Sequence, residues 1–141
     1  MIMPDVNILV HAYRPDSADS QLCKQWLEDE LTGGTTVGLL SSVLAGMVRV
    51  CSHSRIFKSP DPADDILSFC DFLLSLDTTL LIHPGESHWR IFSSLCRDTN
   101  AAGNLVQDAW YAAAAIEQGA EWATMDRDFS RFPDLRLLML H

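Results

Sequence analysis

Apolar positions follow two rhythms along this chain, and the rhythms alternate. Ile2-Met3 is a short apolar run that stops at Pro4-Asp5, and from Val6 to Tyr13 the apolar residues Val6, Leu9, Val10 and Tyr13 recur at helical spacing. After a turn at Arg14-Pro15-Asp16, Ser17 or Asp19 is placed to cap a helix through Leu22, Trp26, Leu27 and Leu31, which Gly33-Gly34 ends. Thr35 to Leu40 is β-branched and apolar and predicts a second strand. Ser41 or Ser42 then caps a helix carrying Val43, Leu44, Met47, Val48 and Cys51.

The strongest break is Ser59-Pro60-Asp61-Pro62. Beyond it Ile66, Phe69, Cys70, Leu73 and Leu74 mark an amphipathic helix, Thr78 to Ile82 a third strand, and Glu86 to Arg97 a further helix. Asn100 to Gly103 turns the chain into the clearest helix, Asn104 to Gln118, because Ala112 to Ala115 favours helix and Gly119 stops it. Glu121 to Met125 and Arg136 to Leu140 complete five predicted strands. Strands alternating with helices predict an α/β fold with a mostly parallel sheet and helices on both faces. No segment repeats another and no linker divides the chain, so residues 1–141 are expected to form one domain.

In such sheets ligands collect beyond the carboxyl ends of the strands. Asp5 follows the first strand, while Asp126 and Asp128 follow the fourth. Asp108 lies one helical turn after Asn104 on the same face of the long helix. Each acid alone reads more simply as a cap or a solvated side chain; their shared placement at one sheet edge is what suggests a site. Clustered carboxylates hold Mg²⁺ or Mn²⁺, and such an ion activates water for attack on a phosphodiester.

Charge sharpens this picture. With 19 acidic and 10 basic residues the net charge is −9, which opposes simple electrostatic binding of nucleic acid and makes a bridging cation necessary if a nucleic acid is bound. A basic protein partner is also favoured. Arg49, Arg55 and Lys58, beside His53, form the only local basic run. The four cysteines, Cys23, Cys51, Cys70 and Cys96, lack Cys-x-x-Cys spacing and read as reduced core residues. No stretch has the length of a membrane span and Met1-Ile2-Met3-Pro4-Asp5 lacks a basic leader, so a cytoplasmic protein is expected.

Three segments carry a family resemblance: Asp5-Val6-Asn7, Gly103-Asn104-Leu105-Val106-Gln107-Asp108-Ala109, and Thr124-Met125-Asp126-Arg127-Asp128-Phe129. Their order and separation resemble PIN domains, and more narrowly the VapC-type ribonuclease toxins of toxin–antitoxin pairs. The resemblance implies a three-layer α/β/α fold, divalent-metal-dependent RNA cleavage, a homodimer and a VapB-type antitoxin. It implies that Asp5, Asp108 and Asp126 ligate the metal with Asp128 in support, and that Asn104 and Thr124 are polar groups behind them. One position departs from the pattern. Where the family carries a Glu, Ala45-Gly46-Met47-Val48-Arg49 has Gly46, so weak or absent cleavage is expected, restored by Gly46→Glu. Two other readings are a phosphoryl-transfer domain using Asp5 and a non-catalytic interaction module whose acids only cap helices.

Overall fold

The computed structural model describes all 141 residues, Met1–His141. Its elements run β1 (Ile2–Pro4), α1 (Val6–Tyr13), α2 (Ser20–Thr32), β2 (Val37–Leu40), α3 (Ser41–Cys51), α4 (Ala63–Leu74), β3 (Thr79–Ile82), α5 (His88–Thr99), α6 (Asn104–Glu117), β4 (Glu121–Thr124), a 3₁₀ helix (Arg127–Arg131) and β5 (Arg136–Met139). The five strands form one sheet in the order β3-β2-β1-β4-β5. Every pairing is parallel, so the expected mostly parallel sheet is wholly parallel.

Strand order explains where a ligand can enter. The chain moves outward from β1 through β2 to β3, then crosses back to lay down β4 and β5 on the other side of β1. Right-handed crossovers in opposite directions place their helices on opposite faces, giving three layers. The reversal leaves a crevice beyond the carboxyl ends of β1 and β4. Both strands are buried along most of their length, with Met3, Trp122 and Ala123 wholly inaccessible. Pro4 has no N–H to give to the sheet, and the ladder resumes when Asp5 N donates to the Ala123 carbonyl at 2.8 Å.

Helix α6 packs closely because its inner face is small: Ala109 and Ala112 through Ala115 are all buried. Its entry turn uses Gly103 at φ 60°, a left-handed backbone that a side chain disfavours. Tyr111 then stacks on Trp122 of β4, with ring centroids 5.8 Å apart. These contacts set the rotation of α6, and hence the direction of Asp108.

Some boundaries differ from the sequence expectation. Strand β2 begins at Val37 rather than Thr35. Neither Ser41 nor Ser42 caps α3: the N-cap is Leu40, Ser41 is already helical, and no side chain makes the capping bond. β2 is buried to its last residue, so α3 starts without an exposed turn in which a serine could fold back; the Ser42 hydroxyl is buried without a partner. Asp19 does occupy the N-cap of α2 but its side chain makes no capping bond.

Candidate metal centre

Register brings the first two site residues together. β1 pairs with β4 as Ile2↔Glu121, Met3↔Trp122 and Pro4↔Ala123. The next residues in that register are Asp5 and Thr124, and Thr124 Oγ1 donates to Asp5 Oδ2 at 2.6 Å. The other carboxylate oxygen, Oδ1, accepts from Val6 N at 2.6 Å. Asp5 is therefore the N-cap of α1 and also part of a network reaching across the sheet.

Asn7 completes that network. Its Nδ2 donates to Asp5 Oδ2 at 3.1 Å and to Thr124 Oγ1 at 3.2 Å, while its Oδ1 accepts from Met125 N at 3.4 Å. Thr124 Oγ1 also accepts from Asp126 N at 3.0 Å, and Asp126 in turn accepts from Asp128 N at 2.9 Å, capping the 3₁₀ helix. One hydroxyl thus ties the ends of β1 and β4 and aims the loop that bears two more acids. Asn7 stood in the first motif without a role; the Asp-x-Asn spacing at a strand-to-helix turn was its only sequence signal.

Asp108 enters from α6. Carboxylate oxygens of Asp108, Asp126 and Asp128 all lie within 4.8 Å of one another. Asp5 is not a member of that tight trio, but shares the cleft of about 520 Å³ that Asp108 and Asp126 line. Asp108 is in mid-helix and caps nothing. At such separations each pair of ionised carboxylates repels by roughly 3 kcal/mol at an effective dielectric of about 20. Burial, followed by the charges of Asp126, Asp5 and Asp128, pushes the Asp108 carboxyl up to about 7. Burial likewise raises Asp5 to about 6, with Asp126 adding to the rise while the bonds from Thr124, Val6 and Asn7 work against it.

The donor set suits a hard divalent cation. Every converging group is a carboxylate oxygen, with neither thiolate nor imidazole among the trio, and partly open oxygen sites that keep several waters are what Mg²⁺ and Mn²⁺ prefer. The residues behind the acids divide differently from expectation. Thr124 is fully buried and bonded to Asp5. Asn104 is exposed in the first turn of α6 and does not line the cleft, because one turn of rise carries it away from Asp108 along the helix axis.

Gly46 sits against the cleft wall. A Cβ there would meet Val6 Cγ2 at 3.1 Å and the Tyr111 hydroxyl at 3.3 Å. Val6 and Tyr111 both line the cleft, so a side chain at position 46 would need each of them to give by a few tenths of an ångström. His11, Gln107 and Arg49 complete the polar lining; Arg49 came from the basic run, Gln107 stood in the second motif without a role, and His11 carried no motif.

The PIN-domain profile matches residues 2–135. Ribonuclease VapC43 of Mycobacterium tuberculosis is 39% identical over 136 residues, covering 96% of this chain and 92% of the relative. Ribonuclease VapC25 of the same organism is 30% identical over 136 residues, covering 96% of each. Among solved structures, VapBC2 from Rickettsia felis bound to a promoter DNA fragment is similar with a TM-score of 0.75 at 24% identity, over 100% of both chains. The chain therefore belongs to the PIN-domain family, and these relatives group it with the VapC proteins. No helix is long and apolar enough to cross a membrane.

Proposed function

We propose that this chain is a VapC-type ribonuclease toxin that hydrolyses RNA phosphodiester bonds using Mg²⁺ or Mn²⁺. The observation that carries the reading is the convergence of Asp108, Asp126 and Asp128 within 4.8 Å, beside Asp5 at the carboxyl end of β1. Asp108, Asp126 and Asp128 would hold the ion, with Asp5 facing the same cleft. A divalent cation bound there supplies Lewis acidity and lowers the pKa of bound water. Thr124 and Asn7 fix Asp5, Thr124 orients the Asp126 backbone, and the Asp108 carboxyl, raised in the metal-free chain, would give up its proton on binding the ion. The relatives named as ribonucleases support the reaction class.

Phosphoryl transfer at Asp5 fits less well. Three hydrogen bonds hold its two oxygens and the residue is only 5% exposed, which leaves roughly one of its four or so lone-pair sites open to a phosphoryl group. Helix capping explains Asp5 and Asp126 but not Asp108.

Gly46 removes one carboxylate from the pattern the family resemblance implies, and the proposed activity is accordingly weak. The similarity to VapBC complexes supports a VapB-type antitoxin as partner. Trp89 and Phe72, 66% and 57% exposed, support protein contacts, including a homodimer. The proposed setting is a single domain in the cytoplasm. Incubating labelled RNA with the chain, Asp108→Asn and Gly46→Glu in Mn²⁺ tests the reaction. Slow cleavage abolished in Asp108→Asn and enhanced in Gly46→Glu is expected; cleavage that persists undiminished in Asp108→Asn, or that is independent of Mn²⁺, contradicts the proposal.

A further inference from the structure

The acidic end is only half of the cleft. Its other wall is apolar, formed by Val50, Ile56 and Phe57, with Arg49 beside them. Arg49 and Val50 lie in the last turn of α3, Ile56 and Phe57 lie in the segment between α3 and α4, and that segment is held by Arg14. The Arg14 side chain is 6% exposed. Its Nη1 donates to the Ser59 carbonyl and to Asp61 Oδ2, each at 2.9 Å, and its Nε and Nη2 donate to the Asp16 carboxylate at 3.0 and 2.8 Å. The guanidinium lies 4.0 Å from the centre of the Phe57 ring. Ile56 N and Phe57 N both donate to the His53 carbonyl at 3.1 Å.

On this fixed platform Ile56 is 50% exposed although it lines the cleft. Folding gains little from an isoleucine held open in that way, so its surface is available to a ligand. The cleft volume, about 520 Å³, lies in the range of sites for small organic groups. Resting on the nuclease reading, which puts the scissile phosphate at the acids, we infer that Ile56 is a contact surface for a nucleobase flanking that phosphate. Arg49 is the cation available to an adjacent phosphate. Charge and polarity match: acids with an ion meet phosphate, an arginine meets the next phosphate, and an apolar wall meets a face of the base, the least polar part of a nucleotide. Duplex RNA stacks its base faces internally and offers that wall nothing, whereas unpaired bases can be splayed onto it.

The test uses fluorescence anisotropy of labelled oligoadenylate RNA and of an abasic ribose-phosphate oligomer of the same length. Both are titrated with the full chain in Mn²⁺ and read within seconds of mixing. Ile56→Ala is expected to weaken oligoadenylate binding about fivefold and abasic binding by less than about twofold, because only the base contact loses apolar area. Ile56→Phe, which keeps an apolar surface at the site, should restore discrimination. Arg49→Ala should weaken both oligomers alike. Equal losses on the two oligomers in Ile56→Ala, or no loss on either, overturn the base contact. Asp108→Asn tests the metal site separately: retained Mn²⁺-dependent binding in that variant defeats the nuclease reading even where Ile56 still discriminates. A wild-type chain that binds neither oligomer defeats both.

Discussion

Thr124 Oγ1 lies 2.6 Å from Asp5 Oδ2, joining two residues 119 positions apart in sequence. The bond is buried, and the same hydroxyl accepts from Asp126 N and Asn7 Nδ2. It couples the two strand ends on which the site is built. Thr124→Val keeps the shape and removes the donor, leaving a carboxylate oxygen short of one bond; a hydrogen bond to a charged group contributes about 1.5–3 kcal/mol. Urea unfolding of metal-free protein should show a loss in that range for Thr124→Val and less than half of it for Thr124→Ser. Equal losses in the two variants would assign the effect to packing.

The acids also set a pH dependence. Asp5 and Asp108 titrate at about 6 and about 7 in the folded chain, above the ordinary value of 3.8. Between roughly pH 4 and 7 the native state therefore binds more protons than the unfolded state, so stability falls as pH rises. Asp16, held low by Arg14, has the opposite sign, but acts in the range at and below its ordinary value. The melting temperature of metal-free protein should be higher at pH 5 than at pH 7.5, and Asp108→Asn should flatten that slope. Added Mn²⁺ should raise it more at pH 7.5, where more carboxylate is ionised. A metal-free melting temperature that rises steadily from pH 5 to 7.5 would show that the acids are not strained.

Gly46 offers a gain of function with a steric condition. Glu at this position adds a carboxylate near the cleft and removes the roughly 1 kcal/mol helix penalty of glycine. Its Cβ must displace Val6 Cγ2 and the Tyr111 hydroxyl by a few tenths of an ångström. Isothermal titration should show tighter Mn²⁺ binding in Gly46→Glu, and a larger gain when Val6→Ala is combined with it. Strictly additive effects would mean that Val6 does not obstruct the new side chain.

Arg14 makes a separate prediction about the wall opposite the acids. Its partners Asp16 and Asp61 are 59% and 34% exposed, so solvent screens part of their attraction. Arg14→Met should cost about 2 kcal/mol, below the range for breaking a fully buried pair. Arg14→Lys should recover little of it, because a single ammonium cannot serve Asp16, Asp61 and the Ser59 carbonyl together. Full recovery by lysine in urea unfolding would make charge alone sufficient.

The sheet, the helices and the placement of Asp5, Asp108, Asp126 and Asp128 were legible because each rests on local periodicity or on a strand end. Partnerships were not. That Thr124 faces Asp5 depends on the β1–β4 register, which pairs segments from opposite ends of the chain. Arg14 shows no motif; its role exists only once Ser59, Asp61 and Phe57 fold back onto it. Asn104 looked equivalent to Asp108 by helical spacing, yet the axial rise separates them, and the Ser41 cap failed because the buried β2 runs directly into α3.

Whether the acids hold a divalent cation can be read from anomalous X-ray scattering of crystals grown with Mn²⁺. A manganese peak is expected among Asp108, Asp126 and Asp128, with carboxylate oxygens at about 2–2.5 Å, and its loss in Asp108→Asn. Manganese found only elsewhere on the molecule, or bound unchanged in Asp108→Asn, would contradict a cation site built on these acids.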